Sequence, residues 1–167
     1  QGGLDAGRML AGGLKAALLL NTEPVHDSAA GARAAEALAQ AGMVVTLSPF
    51  KTNLEFSDVL LPIAPFTETS GSFVNAEGRL QGFHAVVKPL GDARPAWKVL
   101  RVLGNLLGVQ GFDYETSESI RDEAIGKGNT DLSAKLNNVA RIAPSAGSYA
   151  PAGQLERLAD LPIYFTD

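Results

Sequence analysis

The sequence contains no cysteine among its 167 residues. On this chain, that absence excludes disulfide bonds, cysteine nucleophiles, cysteine-held iron–sulfur clusters and thiolate zinc sites. Long apolar runs are also absent, because the longest are about five residues and a transmembrane helix needs roughly 20. The net charge is −4 and no run of five like charges occurs. Since nucleic-acid phosphates are bound by clustered Lys and Arg, we expect no nucleic-acid partner. Since the apolar runs are short, we expect no direct membrane insertion.

Sequence motifs for several common chemistries are also missing. The two histidines, His26 and His84, stand in no metal-ligand spacing, and loop histidines that meet water are the better interpretation. No G-x-S-x-G sequence occurs, which argues against a serine hydrolase. The chain has 18 glycines, but neither G-x-G-x-x-G nor a P-loop follows a strand-like run. We therefore expect no dinucleotide pyrophosphate held in the usual Rossmann manner.

Three short apolar runs lie in the first half of the chain, at 16–20, 43–47 and 58–61. None of them alternates with polar residues, so each predicts a strand buried on both faces. The alanine-rich stretch 28–41 between the first two runs predicts a helix, which Asp27 or Ser28 can cap and Gly42 can end. Together these patterns predict parallel strands joined by a helical crossover.

The second half of the chain predicts a tight hairpin followed by helices. Residues 72–75 and 79–81 flank a turn in which Gly78 supplies a positive φ. Apolar residues at helical spacing then predict one helix from Pro95 to Gly108 and a second over about 116–126. The expected fold class is α/β: a Rossmann-like three-layer domain with a short parallel sheet, followed by a hairpin and a helical C-terminal extension.

The chain divides by sequence pattern into three parts. We expect an α/β domain at 3–110, a helical extension at 111–142, and a linker with the start of a following segment at 143–167. The linker is indicated by APSAGSYAPAG at 143–153, which is rich in Pro, Gly and Ser. The first residue is Gln1, and no leader-like segment follows it. We therefore expect this sequence to be a segment of a longer chain.

Polar residues follow the predicted strands. Asn21 and Glu23 come directly after the first strand, and polar residues are dense between Thr67 and Asn75. The carboxyl ends of parallel strands share one edge of a sheet, where ligands bind in open α/β sheets. Such groups can hydrogen-bond the polar edge of a heterocycle. They can equally satisfy backbone groups in tight turns, and composition alone leaves both interpretations open.

An ordered set of motifs resembles the molybdopterin oxidoreductase family, to which formate dehydrogenases and nitrate reductases belong. The motifs are DAGRML at 5–10, LLLNTEP at 18–24, VV at 44–45, PF at 49–50, DVLLP at 58–62 and ETSGSFVNAEGRLQ at 68–81. The stretch VVKPLGDARPAWKVL at 86–100 is similar more narrowly to the large iron–sulfur subunit of bacterial NADH-quinone oxidoreductase, the respiratory complex I.

The narrower resemblance implies a non-catalytic structural role. The parent complex would pass electrons from NADH through flavin and iron–sulfur clusters to quinone and pump protons, with the clusters of the large iron–sulfur subunit held elsewhere on its chain. The resemblance further implies that molybdopterin has been lost, and that this chain holds no catalytic residue, metal ligand or cofactor. The implied partners are other peripheral-arm subunits and the rest of its own longer chain. The implied location is the cytoplasmic face of the inner membrane.

The hairpin departs from the pattern of the catalytic members. Those members commonly carry two arginines after the glutamate, whereas this chain has Glu77-Gly78-Arg79, and glycine cannot replace the donor fork of arginine. If a vestigial pocket remains, we expect its rim to include Asn21, Glu23, Ser48, Thr67, Gly71, Ser72 and Asn75. Two alternatives stay open: the pterin-site segment of a working enzyme of the formate dehydrogenase or nitrate reductase type, and a stand-alone small-molecule binding module.

Overall fold

The computed structural model describes residues 3–136. Within this range the chain forms two compact units, which meet in sequence at Pro62 and Ile63. The first contains a short parallel sheet with helices, and the second contains an antiparallel hairpin and further helices. The predicted α/β class is confirmed. The predicted domain boundaries at 110 and 142 stay predictions, and the predicted linker at 143–153 lies outside the described residues.

The first unit, residues 3–62, is built on three parallel strands: β1 (Ala17–Leu20), β2 (Val44–Ser48) and β3 (Val59–Pro62), with β2 in the centre. Ala17 pairs with Val44 across β1 and β2, and Val45 pairs with Val59 across β2 and β3. The helices are α1 (Ala6–Met9), α2 (Pro24–Asp27) and α3 (Ala32–Ala39). Residues 49–58 connect β2 to β3 without a regular helix.

The core of the first unit lies between α3 and one face of the sheet. Leu38 on α3 packs with Val44 on β2 and with Phe56, and all three side chains are buried. Ala34 precedes Leu38 by one helical turn on the same face of α3 and is fully buried. Because alanine is small, α3 can lie close to the strands, and this packing density supplies the dispersion contacts that hold the layers together.

The helix between β1 and β2 begins later than the sequence predicts. Its first residue is Ala32, after Gly31 at a φ of 54°, so the predicted start at Asp27 or Ser28 is wrong. Both polar side chains serve α2 instead. The Asp27 carboxylate accepts from the Glu23 N–H at 2.6 Å, and the Ser28 hydroxyl donates to the Pro24 carbonyl at 2.6 Å. Because Asp27 and Ser28 bond within α2, they do not cap α3, which begins at Ala32.

Burial on both faces is correct for β2 and wrong for β1 and β3, in which no residue is buried. In β2, Thr46 and Leu47 are fully buried although they point to opposite faces. In β1, Leu18 and Leu20 remain 50% and 43% exposed, while Leu19 packs on the core. β2 is the central strand and has a neighbour on each side, whereas β1 stands at an edge of the described sheet. The sequence of β1 is as apolar as that of a central strand, but in the described residues only the face that carries Leu19 is packed on the core.

The second unit, described over residues 63–136, contains the predicted hairpin. Strands β4 (Gly71–Val74) and β5 (Leu80–Phe83) pair in antiparallel register, and Gly78 in the turn has a φ of 80°. The predicted hairpin and the predicted positive φ are both confirmed. Helices α4 (Ala96–Leu106) and α5 (Ser117–Ile125) follow, with short 3-10 helices at Phe66–Glu68 and Ser133–Lys135.

Helix α4 ends where the sequence predicts. Gly108 has a φ of 68°, its N–H donates to the Asn105 carbonyl at 3.0 Å, and the Val109 N–H reaches the Gly104 carbonyl at 2.9 Å. This pair of bonds is the Schellman arrangement, in which a left-handed residue satisfies the last carbonyls of a helix. Among the helices of residues 3–136, none is long and apolar enough to cross a membrane.

Candidate functional site

The loops after β1 and β2 in the first unit are joined by an asparagine that was not among the predicted site residues. Asn53 is 8% exposed, and its side-chain nitrogen donates to the Thr22 carbonyl at 2.9 Å. Its φ is 58°, in the left-handed region that asparagine tolerates better than most residues. The Lys51-Thr52-Asn53 turn signal could have indicated this conformation, but no sequence signal indicates that the amide crosses to the neighbouring loop.

The three predicted rim residues of the first unit lie at or just after the ends of β1 and β2. Their polar groups make hydrogen bonds within the neighbouring turns and strands. Asn21 has a φ of 49°, and its N–H donates to the Leu47 carbonyl at 2.8 Å. Glu23 precedes α2, and its side chain makes no capping bond. Ser48 is 5% exposed, and its hydroxyl accepts from the Phe50 N–H at 3.1 Å. These bonds favour the interpretation that the polar groups at this edge satisfy the turns.

Polar side chains beside β2 in the first unit bond within the unit and hold its strands together. The hydroxyls of Thr46 and Ser57 lie 2.7 Å apart. The Asp58 carboxylate accepts from the Val44 N–H at 2.7 Å, and the Asp58 N–H donates to the Val44 carbonyl at 2.9 Å. Each of these bonds ties β2 to the segment that enters β3. Thr46 is fully buried, and a polar group removed from water is costly without a partner, so its bond to Ser57 is structural.

In the second unit, Asn75 organises the hairpin turn. Its side-chain oxygen accepts from the Glu77 N–H at 3.0 Å and from the Arg79 N–H at 2.9 Å. Its carbonyl also accepts from the Gly78 N–H at 2.9 Å. A carboxamide oxygen has two lone pairs, and here both are used inside the turn. The predicted rim residue Asn75 therefore has a role in turn geometry.

Gly71 allows an aromatic pair to form across the hairpin. A β-carbon at Gly71 would lie 2.6 Å from the ring of Phe83, its partner on β5. The same ring stacks on Phe73 with centroids 5.2 Å apart and planes 15° apart. Gly71 is thus a packing position. Of the other rim candidates, Thr67 and Ser72 are exposed, and their hydroxyls make no hydrogen bond within residues 3–136.

The outer side of the hairpin turn is occupied by residues 130–133. A β-carbon at Gly78 would lie 2.6 Å from the backbone nitrogen of Ser133. The Leu80 N–H donates to the Thr130 carbonyl at 2.9 Å. Asp131 stands opposite Arg79, and its pKa is lowered by hydrogen bonds from the Ser133 hydroxyl and N–H, with a further contribution from the Arg79 charge. This segment was not part of the predicted site.

Residues 3–106 match the family model described as molybdopterin oxidoreductase. This chain belongs to the molybdopterin oxidoreductase family. The match spans both described units, from the segment before α1 to the last residue of α4.

Relatives within the molybdopterin oxidoreductase family are similar over a shorter stretch. A Staphylococcus aureus (strain bovine RF122 / ET3-1) protein named "Putative formate dehydrogenase" is 40% identical over 68 residues, which is 41% of this chain and 7% of that protein. A Bacillus subtilis (strain 168) protein named "Probable oxidoreductase YjgC" is 41% identical over 70 residues, 42% of this chain and 7% of its own length. These matches therefore span only a small part of the relatives.

The family name implies a molybdopterin cofactor, and the hairpin turn allows a test of whether its residues fit one. Asn75 has no free lone pair on its side-chain oxygen, and Gly78 has no side chain and faces Ser133. Gly78 therefore offers no side chain to a pterin, and Asn75 offers only its side-chain N–H donors. Arg79, Ser72 and Thr67 are exposed, but no step of a reaction follows from exposure alone.

A groove of about 520 Å³ on the second unit is lined by several polar and charged side chains, among them Glu68, Lys98 and Glu118. The Lys98 Nζ lies 5.3 Å from the centre of the Trp97 ring. The Glu68 carboxylate accepts a hydrogen bond from the Leu90 N–H at 3.0 Å. In the first turn of α5, the pKa of Glu118 is lowered by its own backbone N–H and by the Ser117 hydroxyl. Within residues 3–136, no three His, Cys, Asp or Glu side chains are grouped as a metal site would require.

Proposed function

We propose that this chain is a non-catalytic structural segment of the large iron–sulfur subunit of a bacterial NADH-quinone oxidoreductase, respiratory complex I. The observation that carries the proposal is the hairpin turn, in which the Asn75 side-chain oxygen bonds the chain's own backbone and Gly78 stands where catalytic family members commonly carry arginine. The similarity of residues 86–100 to the large iron–sulfur subunit supports the choice of parent.

In this role the segment contributes structure and leaves electron transfer to other parts of the complex. The parent would carry electrons from NADH through flavin and iron–sulfur clusters to quinone, while this segment contacts neighbouring peripheral-arm subunits and the rest of its own chain. The exposed apolar residues of the second unit supply surface for such contacts; Val86 and Leu90 are 82% and 81% exposed. The proposed location is the cytoplasmic face of the inner membrane, without insertion.

The second candidate is a segment of the pterin site in a working molybdopterin oxidoreductase of the formate dehydrogenase or nitrate reductase type. The names of the relatives favour it, because proteins at 40% and 41% identity are called a formate dehydrogenase and an oxidoreductase. The exposed side chains of Thr67, Ser72 and Arg79 are the groups that this candidate would use. Arginine at 79 could donate to an anionic group through its guanidinium fork.

Electron-donor specificity of the full-length parent separates the two candidates. The parent is tagged in its native host, and the purified material is assayed for dye reduction with NADH and with formate. The proposal predicts co-purification with an NADH-oxidising assembly and no formate-dependent reduction. Formate-dependent reduction by a protein free of NADH-oxidising subunits would contradict it and support the second candidate.

Deletion of residues 3–136 within the parent tests the structural role itself. The proposal predicts loss of the assembled complex on a native gel, since removing a packed segment exposes its apolar neighbours. A deletion strain with normal assembly and normal NADH-quinone turnover would contradict the proposal. Parent protein carrying the conservative substitution Val102→Ile, at an exposed position of α4, serves as the matched control.

A further inference from the structure

Residues 130–133 lie along the outer edge of the hairpin, next to its turn. Three of them, Thr130, Asp131 and Ser133, line a pocket of about 460 Å³ together with Glu77, Arg79 and Leu80. We propose that the segment Thr130–Ser133 is a strap that closes the outer edge of the hairpin at the start of β5, and that Gly78 is the residue that allows the strap to close. The proposal depends on the contacts of the second unit, so it applies whichever parent contains the chain.

The strap is held by backbone hydrogen bonds. The Leu80 N–H donates to the Thr130 carbonyl at 2.9 Å, and the Leu132 N–H donates to the Gly78 carbonyl at 2.7 Å. These two bonds bracket Arg79 and Asp131, which form an antiparallel bridge. An unpaired strand edge offers its N–H and C=O groups to any extended chain that approaches. At the start of β5, those groups are already used by the same polypeptide.

The strap can lie this close to the turn only because residue 78 has no side chain. A β-carbon there would lie 2.6 Å from the Ser133 nitrogen and 2.7 Å from the Ser133 α-carbon. Both atoms are backbone, so the clash cannot be relieved by moving the end of a flexible side chain. The φ of 80° adds a second cost for any residue other than glycine. A side chain at 78 and a closed strap therefore exclude each other.

Asp131 shapes the strap from within. Its carboxylate accepts from the Ser133 N–H at 2.8 Å and turns the chain into the 3-10 helix Ser133–Lys135. Arg79 is the charged group that faces it from the start of the β5 strand. With the strap closed, the Gly78 carbonyl and the Leu80 N–H cannot pair with a ligand or with an added strand. Residue 78 thus decides between a self-closed edge and an open one.

Disulfide trapping tests the strap in the full chain. Arg79 and Asp131 are a non-hydrogen-bonded antiparallel pair, for which the α-carbons lie about 4.5 Å apart, within the range of about 4.4–6.8 Å that a disulfide spans. Because the sequence has no cysteine, the double variant Arg79→Cys/Asp131→Cys has only this pair. The substitutions remove the Asp131 carboxylate but leave the two backbone bonds of the strap in place. We therefore expect an intramolecular disulfide under mild oxidation, and absence of that disulfide would overturn the proposal.

The same double variant carries the test of Gly78. Adding Gly78→Arg should slow cross-linking at least tenfold, whereas adding Gly111→Ala should leave it unchanged. Gly111 is the matched control because its φ is 85° and nothing lies within 4 Å of a β-carbon there. Equal cross-linking rates in the two backgrounds would overturn the role of Gly78.

Amide hydrogen exchange of the unsubstituted chain provides a readout that does not depend on the folding of any variant. The Leu132 amide should exchange at least tenfold more slowly than the Ala134 amide, which has no acceptor among the described residues. Equally fast exchange at the two amides would contradict a closed strap.

Discussion

The side-chain nitrogen of Asn53 donates to the carbonyl of Thr22 at 2.9 Å and so joins the loops that follow the first two strands of the parallel sheet. Asn53 is 8% exposed, so the bond is shielded from competing water. In the first unit this bond links two loops at the carboxyl edge, where an open α/β sheet would bind a ligand. Here the bond holds the two loops together at that edge.

Replacing Asn53 by glycine isolates that hydrogen bond, because glycine accepts the φ of 58° without strain. We expect Asn53→Gly to lower the free energy of unfolding by about 1–3 kcal/mol, since the Thr22 carbonyl loses its partner. Asn21→Gly is the matched control: its φ is 49°, its side chain is exposed, and the change should cost well under about 1 kcal/mol. Urea denaturation of both variants makes the comparison, and equal losses would refute the proposed role of the bond.

A substitution in the hairpin tests the packing role of Gly71. The β-carbon of Gly71→Ala would meet the Phe83 ring at 2.6 Å, so the ring must move off Phe73. We expect a loss of about 1–3 kcal/mol, typical of overpacking. At Gly82, on the facing strand, the nearest atom to a β-carbon is 3.8 Å away. Gly82→Ala should be neutral or slightly stabilising, and the idea fails if the two variants melt alike.

The acid response of the strap follows from Asp131. Its folded-state pKa is lowered, chiefly by the Ser133 hydroxyl, then by the Ser133 N–H and the Arg79 charge. A lowered pKa means that the carboxylate's contribution is complete above its ordinary value of 3.8 and is lost as the pH falls through the folded value. We expect NMR titration to show this lowered pKa and to show it rising towards normal in Ser133→Ala. An Asp131 pKa unchanged by Ser133→Ala would contradict the assignment.

Ligand screening of the isolated chain addresses the interpretation as a stand-alone binding module. A ligand present at about 100 times its Kd would add roughly 2.7 kcal/mol to the stability of the folded state. We expect no shift in Tm with nucleotides or pterins, because Asn75 and Ser48 already bond the chain's own backbone. A saturable rise in Tm that disappears in Ser72→Ala, but not in the exposed control Ser119→Ala, would reverse this conclusion.

Much of the fold follows from local patterns in the sequence. Gly78 and Gly108 are predicted correctly because a positive φ at a turn or a helix end is a requirement that few residues other than glycine meet. The hairpin and both later helices follow from such signals together with apolar spacing. The start of α3 is missed because Asp27 and Ser28 have two possible uses, and the structure uses them in α2.

The candidate site is harder to predict because its contacts join residues far apart in sequence. Asn53 meets Thr22 across 31 positions, and Gly78 meets Ser133 across a still longer interval. Asn75 looks like a ligand-binding residue in sequence, but its role is set by the N–H groups of its own turn. Polar residue types at the ends of strands therefore do not distinguish a ligand site from a self-satisfied loop.

The most direct test of the non-catalytic role is the molybdenum and pterin content of the full-length parent protein, purified from its native host. Metal analysis gives the molybdenum, and fluorescence of the oxidised pterin gives the cofactor, each per mole of polypeptide. The account predicts that both are far below stoichiometric while iron and NADH-dependent activity are retained in the assembly. One molybdenum and its matching pterin for every polypeptide would contradict it.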